Sequence, residues 1–338
     1  MRCIPCCFAL STPFADPTQI VGRKTKDSGV DGLLVVDKPS GWTSHDVVAK
    51  CRGALRQKRA GHSGTLDPDA TGVLLIGFGC VTKLLPLLTA LPKTYTAEFV
   101  MGTETSTLDS SGVVLRTHDM SGLTTEQVRS ASLEFLGNIE QIPPMVSAVQ
   151  IGGKRLHELA RQGIEIDRPP RPVSVYRFEI HREVESGVFA VEVECSSGTY
   201  VRTLAADLGV ALGGGAHLRN LRRTAIGSFL VDEGVPVDEA LRDATLLSPR
   251  DALRDYPIVT ADEATAAMVA NGRMLPAIAF DAAAVGGSVN ASRANDRLPG
   301  AGVPRWGVVG PDGELIAVYE RGGDGLAKAS IVIPPRSG

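Results

Sequence analysis

The sequence predicts an α+β fold: a mixed, largely antiparallel sheet with helices, followed by a small β-rich domain. Between residues 33 and 212, strand-like and helix-like segments succeed one another without the regular strand–helix–strand spacing of a parallel sheet. Within that stretch, residues 173–182 and 188–195 flank Ser186-Gly187 and read as an antiparallel pair. From Ile258 onward the pattern changes to short apolar runs cut by Asn271-Gly272, Gly310-Pro-Asp-Gly313 and Gly322-Gly-Asp-Gly325. At 338 residues the chain is long enough for more than one domain and an ample core.

The elements follow in order. Residues 33–37 are an apolar strand, and Ser44 can cap a helix running to about Leu55. Residues 61–72 (Gly-His-Ser-Gly-Thr-Leu-Asp-Pro-Asp-Ala-Thr-Gly) are turn chemistry throughout, and they lead into the buried strand Val73-Leu-Leu-Ile76. A short helix is expected from about Val81, and residues 95–101 alternate like a half-buried strand. Residues 124–136 read as a helix, and so do 200–212, which Gly213-Gly-Gly215 stops. Residues 306–309, 315–319 and 329–333 read as strands of a small barrel-like unit, with 282–302 a flexible Ala- and Gly-rich loop.

Composition narrows the class. The net charge of −3 excludes a uniformly basic nucleic-acid binder, yet basic residues cluster locally. Arg52, Arg56, Lys58 and Arg59 precede the turn; Lys154, Arg155, Arg161, Arg168, Arg171, Arg177 and Arg182 form a second group; Arg219, Arg222 and Arg223 form a third. Such runs also occur as solvated faces, here balanced by Glu158, Glu165, Asp167 and Glu179. The six cysteines lack the framework of a small secreted chain, and Cys3-x-x-Cys6 has no second half-site, so reduced thiols and no metal are expected. No apolar stretch is long enough to span a membrane, and residues 1–15, with one basic residue and a proline-broken apolar stretch, make a poor signal peptide. A disordered extension over 1–29 and a cytoplasmic location are the expectations.

The chemistry points to Asp67. A lone carboxylate offered from a glycine- and proline-held loop on a strand is how folds present a catalytic group, although Asp-Pro turns also use the side chain merely to cap themselves.

The segment 61–72 resembles the catalytic motif of the pseudouridine synthases, in particular the bacterial TruB family that modifies the T-loop of tRNA. The resemblance runs in order from about Gly32 to Phe229. It includes residues 33–44 (Leu-Leu-Val-Val-Asp-Lys-Pro-Ser-Gly-Trp-Thr-Ser), Lys93-Thr-Tyr95, residues 195–204 (Cys-Ser-Ser-Gly-Thr-Tyr-Val-Arg-Thr-Leu) and residues 217–223 (His-Leu-Arg-Asn-Leu-Arg-Arg). Residues 141–150 and 153–163 resemble the family's RNA-gripping insertion, with Gln150 and His157 standing where relatives commonly carry lysine and tyrosine. So long a run in order is far more specific than one short motif.

The resemblance implies the pseudouridine synthase fold over 30–250, with the insertion at about 138–172, and an RNA-binding PUA-like domain over 255–338. It implies conversion of the T-loop uridine, position 55 of tRNA, to pseudouridine. Asp67 would be the nucleophile, attacking the sugar or the base or assisting elimination; Arg202 would pair with it and keep it ionised. Tyr95 would stack on the uracil near the C5 proton, with Tyr200 and Leu221 lining the pocket and His62 filling the space left by a flipped-out nucleotide. The reaction is an isomerisation, so no cofactor or metal is expected. The partner is the tRNA T-arm, with no membrane and no protein partner, and a monomer is expected. Three alternatives are a tRNA-binding folding factor with dispensable catalysis, a guide-RNA-directed synthase, and a glycoside hydrolase using Asp67 and Asp69. The last is disfavoured because the two carboxylates share one turn instead of flanking a sugar.

Overall fold

The computed structural model describes residues 29–147, 150–151, 153–155, 162–164, 166–238, 241, 244–284 and 303–334. The expected extension with Cys3 and Cys6, the expected 282–302 loop from residue 285 on, and His157, Glu158, Arg161 and Glu165 of the insertion lie outside these residues.

A ten-stranded sheet carries the larger part of the chain. Its members are β1 (Gly32–Lys38), β2 (Ala60–His62), β3 (Thr71–Phe78), β4 (Lys93–Met101) and β7 (Gly137–Gln141), then β10 (Arg171–Glu185), β11 (Val188–Cys195), β12 (Ala216–Ile226), β13 (Phe229–Leu230) and β14 (Val235–Pro236). Two short pairs lie apart from it, β5–β6 (Thr103–Thr105, Val114–Thr117) and β8–β9 (Gln150–Ile151, Lys154–Arg155). The main order is β14-β1-β3-β12-β4-β11-β10-β7. Only β1–β14 and β3–β12 pair in parallel, so the sheet is mixed and largely antiparallel, as expected.

The two apolar runs of the sequence are buried on both faces, which is why they do not alternate. Leu34, Val36, Leu74 and Ile76 pack under α1 (Ser44–Ala54) against Val47 and Cys51. Their neighbours Leu33, Val35, Val73 and Leu75 point the other way, toward Val81, Leu84 and α2 (Leu85–Ala90). The alternation in β4 is equally physical: every second residue from Lys93 to Met101 is buried. On that inner face Tyr95, Ala97, Phe99 and Met101 share a core with Leu204, Ala205 and Leu208 of α4 (Val201–Ala211) and with Val128 of α3 (Thr125–Ser132). Each such fully buried aliphatic side chain contributes roughly 1.5–3 kcal/mol.

Three local expectations shift. The cap of α1 is Thr43, not Ser44: the Thr43 hydroxyl accepts from the Asp46 amide and the Asp46 side chain accepts from the Thr43 amide. The helix expected over 124–136 ends as α-helix at Ser132 and tightens into a 3₁₀ turn at Leu133–Phe135. The helix expected from Val81 begins as a 3₁₀ turn, Gly79–Lys83, before α2.

The second unit is a five-stranded sheet in the order β15-β17-β18-β19-β16. Its strands are β15 (Ile258–Thr260), β16 (Leu275–Pro276), β17 (Arg305–Val309), β18 (Leu315–Arg321) and β19 (Leu326–Val332), with α5 (Glu263–Ala270) and α6 (Ala277–Ala284). Residues 282–284, expected to open a loop, instead close α6. Phe280 stacks on Tyr319 at 5.1 Å and tilts against Trp306 at 5.3 Å in its own small core. The opposite face supplies Val309, Leu315, Val318 and Ile333 to the cluster built on Leu33 and Val73, so the two sheets share apolar packing. Tyr256 adds a hydrogen bond from its hydroxyl to the Leu87 carbonyl at 2.9 Å.

Candidate active site

The loop between β2 and β3 is clamped along its length. The Ser44 hydroxyl accepts from the Leu66 amide at 2.9 Å and donates to the Leu66 carbonyl at 3.2 Å, tying the loop to α1. The Pro68 carbonyl accepts from the Gly41 amide and from the Lys38 ammonium, both at 2.9 Å. Lys38 is fully buried, and that burial pushes its ammonium down to about 8. At the end of the loop Gly72 has φ +104, and a Cβ there would lie 2.1 Å from the Arg223 carbonyl oxygen. Only glycine lets β3 leave the loop so close to β12.

These clamps hold Asp67 against Arg202. Arg202, on the first turn of α4, is buried and spends its guanidinium on four acceptors. One nitrogen lies 3.2 Å from Asp67 and 2.9 Å from the Val146 carbonyl; the other lies 3.1 Å from Asp109 and 3.0 Å from the Thr107 carbonyl. Such planar, two-sided pairing suits arginine and no other cation. Asp109 is itself oriented by Thr107 and Ser111, whose hydroxyls each donate to it at 2.6 Å. The Asp67 side chain keeps 42% of its surface exposed, so the pair sits at an opening and not in the core.

Burial pushes the Asp67 carboxyl above its ordinary value; Arg202 is the strongest opposing influence, and Asp109 adds to the rise. The guanidinium therefore limits an upward shift instead of producing the fall expected of a simple ion pair. Burial also pushes the Tyr95 phenol up, with the neighbouring Arg223 pulling it back.

A cavity of about 320 Å³ opens beside this pair, at the small end of ligand sites. Asp67, Tyr95, Tyr200, Arg202 and Leu221 all line it, joined by Lys93 and Arg223. Tyr200 is held from behind by Gln141, which accepts from its amide at 2.9 Å and donates to its carbonyl at 3.3 Å. His62 stands apart from that lining, on β2, with its ring edge-on to His45 at 5.3 Å. Burial pushes it down to about 4, with His45 adding to the fall.

Of Arg219, Arg222 and Arg223, expected on a basic surface, Arg223 is withdrawn, 1% exposed beneath the cavity. Arg219 and Arg222 stay partly exposed but are paired, Arg219 with Glu98 and Glu185 and Arg222 with Asp37. Arg177 likewise pairs with Glu192. By contrast Arg52, Arg56 and Arg59 are exposed, in the last turn of α1 and in the segment that leads to β2. Sequence reasoning gave no role to Asp109, Lys93 or Ser44's clamp. Asp109 did carry a signal, a Thr-Leu-Asp-Ser-Ser-Gly turn of the kind that fixes a carboxylate.

Comparison with known proteins identifies the family. The family model described as TruB family pseudouridylate synthase, N-terminal domain, matches residues 52–201, and that of the tRNA pseudouridylate synthase B C-terminal domain matches 202–256. The tRNA pseudouridine synthase B of Mycobacterium tuberculosis (strain ATCC 25618 / H37Rv) is 47% identical over 260 residues, covering 74% of this chain and 86% of that protein. The protein of the same name from Mycolicibacterium paratuberculosis is 46% identical over 264 residues, covering 74% and 87%. Among solved structures, a chain in a Cbf5-Nop10-Gar1 complex superposes with a TM-score of 0.64 at 25% identity, covering 90% of this chain and 85% of that one. A chain in an H/ACA ribonucleoprotein bound to a substrate RNA has a TM-score of 0.62 at 23% identity, covering 90% and 86%, which is a likeness of fold.

Proposed function

This chain belongs to the TruB family of pseudouridylate synthases, and from that premise we propose that it isomerises the T-loop uridine of tRNA, position 55, on a flipped-out nucleotide with Asp67 as the reacting group. Formation of pseudouridine in tRNA is the activity of its family; the T-loop site and the residue roles are our reading. The observation that carries it is the Asp67 carboxylate, 3.2 Å from a buried guanidinium, on the wall of a cavity that Tyr95 also lines.

The chemistry is a migration. The N1–C1′ bond breaks with its electron pair passing to the uracil, the base turns, C5 bonds to C1′, the C5 proton leaves, and N1 takes a proton. Atoms and charge balance without an oxidant or a second substrate. Asp67 begins this, by attack on the sugar, attack on the base, or assisted elimination. Arg202 fixes the carboxylate's direction through one nitrogen while Asp109 fixes the other. Tyr95 stacks on the uracil near the C5 proton; burial pushes its phenol up, and Arg223 opposes that rise, the help a general-base role needs. Tyr200 and Leu221 limit the base laterally. His62, kept neutral by burial, suits the space of the extruded nucleotide. Extrusion from a loop costs a few kcal/mol, less than extrusion from a duplex.

Three regions are proposed as RNA contacts: the exposed Arg52, Arg56 and Arg59, the insertion at about 138–172, and residues 255–338 as a PUA-like domain. We place the protein in the cytoplasm as a monomer; among the described residues no helix is long and apolar enough to cross a membrane. An Asp67→Asn variant tests the assignment against an unmodified tRNA transcript. It should bind the RNA as the wild type does and make no pseudouridine in a single turnover. Conversion by the variant at the wild-type rate would remove Asp67 from the mechanism. Binding without conversion by the wild type would favour the folding-factor reading.

A further inference from the structure

Two buried cations under Tyr95 have no carboxylate to answer them. Arg223 donates to the Val73 carbonyl at 2.8 Å and the Gly64 carbonyl at 3.2 Å, and lies against the Tyr95 phenol. Lys93, 6% exposed, donates from its ammonium to the carbonyls of Thr89 and, at 2.7 Å, Leu91. Neither forms a salt bridge among the described residues, and both line the cavity. They are close neighbours: a Cβ built on Gly64 would lie 3.9 Å from an Arg223 nitrogen and 4.0 Å from Lys93 Cε.

A buried charge with only neutral partners is costly, and packing alone would favour an apolar side chain there. Such a cost is offset where negative charge develops during a reaction, because a fixed cation in a dry site needs no reorganisation. An ammonium has three N–H donors, of which the two carbonyls use two. Resting on the function proposed above, we propose that Lys93, supported by Arg223, is a catalytic residue that stabilises the uracil anion left when the N1–C1′ bond breaks. The anion forms with the bond's electron pair and is discharged when C5 bonds to C1′ and the C5 proton is exchanged for one at N1.

A pH signature follows. Burial, with Arg223 adding to it, pushes Lys93 down to about 7. The groups facing it are Arg223 on β12, Cys195 directly opposite on β11, Tyr95 on its own strand, Asp67 and Arg202 across the cavity, and only carbonyls from the end of α2. Burial holds the Cys195 thiol at about 12, so it stays neutral. A role that needs the cation is fully present below about 7 and fades as pH rises through it. Lys38, at about 8, is the next group to lose its proton.

The test is single-turnover conversion against pH with the full chain and saturating tRNA, for wild type, Lys93→Arg and Lys93→Gln, with tRNA affinity measured alongside. Wild-type conversion should fall as pH rises through about 7, and Lys93→Arg, which stays charged, should move that fall toward the Lys38 value of about 8. Lys93→Gln should lose conversion on the order of 100-fold while its affinity for tRNA stays the same. Should Lys93→Arg fail to fold, Lys93→Gln decides by itself. A Lys93→Gln rate within about threefold of wild type, or a Lys93→Arg profile that keeps the wild-type fall, overturns the inference and leaves the parent function standing. A wild type that makes no pseudouridine at any pH overturns both.

Discussion

Replacing Arg202 by glutamine should separate the guanidinium's two jobs, holding the loop and tempering Asp67. The substitution removes contacts to two carboxylates and two carbonyls, all between 2.9 and 3.2 Å. Breaking a fully buried ion pair costs about 3–5 kcal/mol. Here the Asp67 and Asp109 side chains are 42% and 20% exposed, so water takes over part of the solvation. With that screening the expected loss of stability is about 2 kcal/mol, a fall in Tm of roughly 4–8 °C. The larger effect falls on the reaction. Arg202 is the strongest influence holding the Asp67 carboxyl down, while Asp109 pushes it up. Without the guanidinium the carboxyl must rise further. The ionised form is present above its pKa, so the acid limb of the single-turnover profile moves to higher pH. At a pH on the plateau the rate should still drop on the order of 100-fold, because the carboxylate is no longer aimed. The assay is conversion of an unmodified tRNA transcript by excess enzyme across pH, beside thermal unfolding. A variant that unfolds earlier but keeps both its acid limb and its plateau rate would refute the reasoning.

Other substitutions separate the loop's supports. Gly72→Ala places a Cβ 2.1 Å from a backbone oxygen at φ +104 and should cost several kcal/mol, on the order of 3 or more, read as a lowered urea midpoint. Thr43→Ala removes only a helix cap and should cost about 1 kcal/mol with conversion unchanged. Ser44→Ala frees Leu66 of the catalytic loop and should lower conversion by about tenfold at a similar cost in stability; equal activity in the two variants would deny the clamp its role. Affinity for tRNA should fall steeply with added salt, and a flat dependence would deny the exposed Arg52, Arg56 and Arg59 a part in binding.

Much of the site was legible because its residues lie in segments with strong local signals. Asp67 stands in a turn of glycine, proline and small polar residues, and Tyr95 in a strand whose alternation matches its burial residue by residue. Arg202 stands two residues beyond the Gly-Thr-Tyr turn that starts α4. β12 was less visible, although it is central to the sheet. Its apolar pattern is broken by Arg-Asn-Leu-Arg-Arg, its register against β4 slips twice, and Asn220 turns to φ 53. The same strand hid the fate of its arginines. A sequence shows charge but not depth, and Arg223 differs from Arg222 only in facing the inside of the pleat. Asp109 was missed because its partner lies 93 residues away in the chain. The turn punctuation after Ile258 announced a separate sheet, but it carried no hint that Val309, Leu315 and Val318 complete the core of Leu33 and Val73.

The most direct measurement is to incubate the wild-type protein with an unmodified tRNA transcript and map pseudouridine at single-nucleotide resolution. The account predicts one new pseudouridine, at the T-loop uridine, absent when Asp67 is replaced by asparagine. Pseudouridine elsewhere in the tRNA, or its formation at the T-loop by the Asp67→Asn protein, would contradict it.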